Sequence, residues 1–173
     1  MEYDENLIRF TPPLMNLKLL DLTKSWEAYR IRQFIGKFIK DIELTDQPRI
    51  LFVMPEAAGD VLLSTAITSS LKEKYPDHDI YFCTRENYIN LLKDNKDIHK
   101  IIYFDRDVWE YRYTLSAFFD KVFFPSVPTQ EVGFWQHTKR DFIQIYADYC
   151  GVEPKEPKIA IEEIEHPYQG QEY

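Results

Sequence analysis

Three observations predict an α/β fold with a parallel sheet flanked by helices. First, short apolar runs of strand length recur: "RILFVM", "DIYFCT", "IHKIIYFD" and "KVFFPS". Second, their β-branched and aromatic residues run on without polar alternation, the pattern of strands buried on both faces. Third, amphipathic segments of helical length fall between them, and that alternation is what a parallel sheet with crossover helices requires. The predicted strands are 50–54, 79–84, 100–104 and 121–124.

Residues 1–48 precede this repeat and read as an extension. "RFTPPLMNLKLLDL" carries two prolines in an apolar setting, so it is predicted to be extended. "SWEAYRIRQFIGKFIKDI" is predicted to be a helix, with Ser25 as its cap. Ile31, Phe34, Ile35, Phe38 and Ile42 form one stripe, while Lys24, Glu27, Arg30, Lys37 and Lys40 lie largely off it. The simpler reading is a helix packed on its own domain, since ordinary surface helices have a stripe of this width; the sharper one is a docking helix for a partner or a membrane face. Residues 49–173 form the second unit. After its first strand, "DVLLSTAITSSLKEKYP" predicts a helix of about four turns that ends at Pro76. "RENYINLLKDN" predicts a second helix, and "WQHTKRDFIQIYADYCG" a longer one that ends at Gly151.

Composition bounds the function. The chain has 173 residues, suited to one domain of ordinary size, and is 45% hydrophobic and 29% charged, which is globular. A net charge of -8 argues against a broad nucleic-acid surface, which needs clustered Lys and Arg against phosphates. No apolar run approaches the roughly 18 residues of a membrane-spanning helix. The acidic start "MEYDENLIRF" lacks the basic and apolar parts of a secretory signal, so a cytoplasmic protein is predicted, with the inner membrane face as a peripheral location. Cys83 and Cys150 are too few and too far apart for a disulfide framework or zinc site, and are predicted to be buried as small hydrophobes. No metal-ligand spacing is visible and no cofactor is predicted.

The loop "PEAAGD" sits between the first strand and the helix after it, where open parallel sheets bind ligands. Gly59 allows a tight turn or the close approach of a ligand, and Asp60 is placed to cap the helix. A cap alone is one reading of Asp60; a catalytic carboxylate is the other. Neither G-x-G-x-x-G nor G-x-x-x-x-G-K-[ST] is present, so the loop is not a glycine-rich phosphate cradle of either type. Arg85, Lys139 and Arg140 are candidate contacts for a phosphorylated ligand, and His137 for a sugar or phosphate. Surface charge and structural hydrogen bonding are the plainer readings of these four. The aromatic runs "VWEYRY" and "FFDKVFF" either pack or stack on sugar rings.

Over residues 49–105 the chain resembles glycosyltransferase family 9, the heptosyltransferases that build the lipopolysaccharide inner core. In that family an apolar strand leads to a G-D-x-[ILV] turn, a helix ending in L-K-x-x-Y-P, a strand, and a segment x-x-L-L-x-x-N-x-x-[IV]. The matching residues are Gly59, Asp60, Val61 and Leu62, then Leu71, Lys72, Tyr75 and Pro76, then Leu91, Leu92, Asn95 and Ile98. "FFDKVFFPS" is similar to the family's next strand and "HTKRDFIQIYADYCGVEP" to its later helix. The resemblance implies the Rossmann-like N-terminal half of a two-domain GT-B enzyme that transfers a hexosyl or heptosyl group from a nucleotide sugar. This half holds a sugar or glycolipid acceptor. Asp60 would be the general base, with Gly59, Glu56, Arg85, His137, Lys139 and Arg140 around the substrate. Glu56, Ala57 and Ala58 depart from the hydroxyl or small flexible residues often found there. The donor-binding half is expected to be absent from this chain, either following in a longer chain or supplied as a separate partner, so the isolated chain is predicted to be inactive. The alternative is a non-catalytic derivative that serves as a binding or assembly module, with a protein partner on its N-terminal helix.

Overall fold

The computed structural model describes residues 26–43, 45–126 and 141–158. The proline-bearing segment 9–22, Ser25, and the candidates His137, Lys139 and Arg140 lie outside them. Four strands form one sheet, β1 (Arg49–Val53), β2 (Asp79–Thr84), β3 (Lys100–Tyr103) and β4 (Lys121–Phe123), in spatial order β3-β2-β1-β4. Every pairing is parallel: Phe52 lies opposite Phe82 on one side and Phe123 on the other, and Phe82 lies opposite Ile101. The α/β prediction holds, with strand ends within a residue of those expected.

Side-chain alternation along the strands divides the core into two layers. Leu51, Val53, Tyr81, Cys83 and Ile102 point to one face, and Ile50, Phe52, Met54, Ile80 and Phe82 to the other. Helix α1 (Trp26–Phe38) covers the first face with buried Ile31, Phe34 and Phe38, followed by Ile42. The predicted stripe is therefore the packed face, as in the simpler reading of that helix. Helix α2 (Ala58–Lys74) covers the second face, and residues 64–71 are buried all round. Ser64, Thr65, Thr68 and Ser70 tolerate that burial because each hydroxyl donates to a backbone carbonyl three or four residues back.

The crossovers reverse face when they reverse direction. From β1 to β2 to β3 the chain crosses on the α2 face, where Leu92 is buried. From β3 it returns past both inner strands to β4 across the α1 face, through α3 (Arg106–Glu110) and a 310 helix at Arg112–Ala117, burying Val108, Tyr111, Leu115 and Phe119. Reversing both keeps one hand for all crossovers. It also puts the topological switch point between β1 and β4.

Two segments depart from the sequence-based expectation. "RENYINLLKDN" forms a 310 helix, Glu86–Leu91, rather than an α-helix. Its hydrogen bonds span three residues, Tyr88 to Arg85 and Leu92 to Ile89, and single turns of the same kind continue to Ile98. The crossover from β2 to β3 is short, and the tighter winding brings Tyr88, Leu91, Leu92 and Ile98 onto the core within it. The segment 106–117, for which no element is predicted, holds α3 and the 310 helix that follows.

Helix α4 (Phe142–Cys150) packs beside α2 and ends at Gly151, whose φ of 66° is left-handed. Val152 N–H donates to Ala147 O and Gly151 N–H to Asp148 O, a Schellman ending. The chain then runs back along α2: Lys74 donates to Gly151 O (2.5 Å), Ser70 to Glu153 O (2.5 Å), and Lys158 N–H to the Thr65 hydroxyl (2.8 Å). Residue 158 thus lies nearer the start of α2 than its end. Cys83 and Cys150 are both free thiols buried as small hydrophobes, as predicted, and burial pushes their pKa values well up.

Candidate functional site at the carboxyl edge of the sheet

All four strands point the same way, so their carboxyl ends share one edge. The loop after β1 is tied to β2: Met54 N–H donates to Cys83 O (2.9 Å), and the buried Thr84 hydroxyl donates to Met54 O (2.7 Å). Met54 and Pro55 are buried, Glu56 is half-buried, and Ala57, Ala58 and Gly59 are exposed. A rigid floor thus carries a short exposed rim.

Asp60 stands in the first turn of α2, as expected, but not as its N-cap. The N-cap is Ala57, in extended conformation (φ -80°, ψ 165°), and its methyl group accepts no hydrogen bond. Asp60, three residues on, reaches back instead, and its Oδ2 accepts from Ala57 N–H at 3.2 Å. This is the reciprocal half of a capping box. Oδ1 accepts from the Tyr146 hydroxyl at 2.8 Å, a contact from the buried face of α4. The Asp60 carboxylate is half-buried and oriented through both oxygens, at the positive end of a long helix, where negative charge is favoured.

Gly59 makes no turn that requires glycine. Gly151 has the only positive φ among the described residues, whereas Gly59 lies within α2. A Cβ placed on Gly59 would meet nothing within 4 Å. Of the two roles predicted for it, a tight turn is ruled out, and space beside the exposed rim is what the residue supplies. Arg85 is exposed and follows β2 directly, so it shares the carboxyl edge with the Asp60 loop.

Sequence reasoning did not find Tyr146, because its partner is 86 positions away. Nor did it find Thr84, whose hydroxyl fixes the loop floor. Tyr149, also on α4, has its phenol pKa raised by burial, partly offset by a hydrogen bond with the Phe124 backbone. Two tyrosines of one helix thus reach residues at both flanks of the switch point. Among the described residues no group of three His, Cys, Asp or Glu side chains is placed to hold a metal ion. No helix among them is long and apolar enough to cross a membrane.

Fold and edge together define a class: a Rossmann-like α/β protein with an oriented carboxylate beside its switch point. No protein-family model and no curated protein matches the chain. Among solved structures it is similar to the glycosyl transferase family 9 protein from Veillonella parvula DSM 2008, with a TM-score of 0.46 and 16% identity over 70% of this chain and 47% of that one. It is also similar to the ADP-heptose lps heptosyltransferase II of E. coli, with a TM-score of 0.37 and 17% identity over 60% of this chain and 28% of that one. The chain spans less than half the length of either.

Proposed function

We propose that residues 49–173 are the acceptor-binding half of a glycosyltransferase of the heptosyltransferase-like kind, with Asp60 as general base and residues 26–42 covering one face of its sheet. The observation that carries this reading is the oriented Asp60 carboxylate at the carboxyl edge, beside the point where an open α/β sheet binds its ligand. The ordered motif set from residue 49 to 105 supports it independently.

Each Asp60 oxygen accepts one hydrogen bond, and a carboxylate has about four acceptor positions, so both oxygens retain capacity for a further proton. An acceptor hydroxyl within hydrogen-bond reach would pass its proton to Asp60 as its oxygen attacks the anomeric carbon of the nucleotide sugar. The bond from that carbon to the nucleotide diphosphate breaks as the new glycosidic bond forms, and the proton remains on Asp60. In this reading the donor sits on a second domain of the GT-B arrangement, which stabilises the departing diphosphate. Gly59, Glu56 and Arg85 serve the acceptor in this reading, His137, Lys139 and Arg140 are assigned to it on the sequence resemblance alone, and the protein works at the cytoplasmic membrane face on a glycolipid.

A second reading, a non-catalytic binding module, is favoured by one observation. Trp26 and Tyr29 are 74% and 50% exposed and stack on one another at the outer face of α1, as a protein partner's contact surface would. NMR titration of the 173-residue chain with a deacylated lipopolysaccharide inner-core oligosaccharide separates the two. Shifts at the amides of residues 57–61 are expected for an acceptor half. An unresponsive edge in a folded chain overturns the proposal.

A further inference from the structure

Trp109 stands on the opposite bank of the switch point from Asp60. Its indole meets the Phe124 ring edge to face at 5.7 Å between centroids, and Phe124 follows directly on the last residue of β4. Phe124 belongs to the α1 face of the core, and Met54, following β1, belongs to the α2 face. Because β1 and β4 are neighbours, Trp109 and Asp60 stand near the ends of adjacent strands, one on each side of the sheet.

The indole is also held in place. The Arg112 guanidinium lies 4.6 Å from the ring centroid, and its Nη1 donates to Trp109 O at 2.9 Å. With the Arg112 guanidinium over the ring and Phe124 in a T-shaped contact with it, 37% of the residue remains exposed. Its neighbours Val108 and Tyr111 are buried in the core. Of the run "VWEYRY", packing therefore accounts for Val108 and Tyr111, while Trp109 keeps a fixed apolar surface open at the edge where the ligand is placed. A rigid indole binds the apolar face of a sugar ring with little entropy to lose, and the remaining N–H donors of Arg112 suit the ring's hydroxyl or anionic substituents.

We infer that Trp109 is the platform on which a sugar ring of the acceptor stacks, with Arg112 fixing the indole and contacting the ring's polar groups. The inference rests on the acceptor-half reading and adds to it the residue that holds the sugar against the base. The indole N–H signal of Trp109, assigned by its disappearance in Trp109→Phe, is followed while the 173-residue chain is titrated with the deacylated inner-core oligosaccharide. It is expected to move together with the amides of residues 57–61. Binding to Trp109→Ala should be roughly tenfold weaker, and binding to Trp109→Phe weakened less. If the 57–61 amides respond while the Trp109 signal stays fixed, or if folded Trp109→Ala binds as tightly as the wild type, the platform is overturned and the acceptor reading stands. If the folded wild-type chain binds no oligosaccharide, both fall. Should Trp109→Ala fail to fold, the wild-type shift map still decides the matter.

Discussion

Asp60 anchors the start of α2, and the proposed function gives the same side chain a second task as general base; substitutions can separate the two. Asparagine keeps the size and both contacts: its oxygen accepts from Ala57 N–H and its amide group donates to Tyr146 Oη, but it takes up no proton. Asp60→Asn should therefore unfold in urea within about 0.5 kcal/mol of the wild type, the usual range for a change that preserves contacts. In a two-domain enzyme carrying this half, glycosyl transfer should fall by roughly a hundredfold or more, the scale of general-base assistance. Full activity in Asp60→Asn would make the residue a structural anchor only. Asp60→Ala removes both contacts and should cost about 1 to 3 kcal/mol, as a buried phenol loses its acceptor and the helix its capping carboxylate. Gly59 allows a converse test. It is helical and has free space around its Cα, so Gly59→Ala should stabilise the chain by roughly 0.5 to 1 kcal/mol, read as a raised Tm. If the open space serves a ligand, the same variant should bind the inner-core oligosaccharide more weakly.

Elements owe their positions to a few long-range ties, most of them centred on α2. The run from Gly151 to Lys158 is fastened to it at Lys74, Ser70 and Thr65, and Lys155 also pairs with Glu73 (2.9 Å). At the far end of that run Asp97 accepts from Ser69 (2.5 Å) and from Lys158 (2.9 Å). Burial opposes ionisation of Asp97, but the Ser69 hydrogen bond and the Lys158 ammonium outweigh it and hold its pKa below the ordinary value. A carboxylate with a depressed folded-state pKa adds stability above the unfolded value of about 3.9, and that stability is lost as pH falls through the folded value. Urea unfolding of the wild type and Asp97→Asn should accordingly differ at pH 7 and converge towards pH 3. A gap of constant size across that range would show that the Asp97 charge contributes nothing to the fastening. At the other end of the same stretch, Gly151 ends α4 in the left-handed region that its Schellman bonds require.

At the scale of the whole molecule, α1 is a structural layer. Phe34 and Phe38 are each 3% exposed, and their rings meet Tyr111 and Phe119 across the crossover that leads back to β4. Ion pairs join the same two layers at the surface: Arg30 with Glu110 (2.9 Å), and Lys37 with Asp105. Exposed pairs of this kind contribute little, so the aromatic contacts carry the attachment. Phe34→Ala should cost about 3 to 5 kcal/mol, a large share of the 5 to 15 kcal/mol typical of a whole domain. A loss below 1 kcal/mol in chemical unfolding would mark α1 as a detachable arm.

Local pattern determined the strands, the class of fold, the packed stripe of α1, the span of α2 and the glycine that ends α4. Those features depend on hydrophobic period and on turn residues within a few positions of one another, both of which a linear sequence contains. The helix expected over "RENYINLLKDN" was read from that same local pattern, but the short crossover wound it as a 310 helix, a demand set by the distance between strand ends. The candidate site divides likewise. Asp60 and its place in the first turn of the helix after β1 were legible because strand, loop and helix are contiguous. What orients Asp60 was not, because Tyr146 reaches it only once α4 packs beside α2. The position of Trp109 across the strand ends also waits on strand order, since only after β4 returns to lie beside β1 do residues 60 and 109 share one edge. Burial and periodicity are properties of segments; strand order, and the contacts it makes between distant residues, come from packing the segments together.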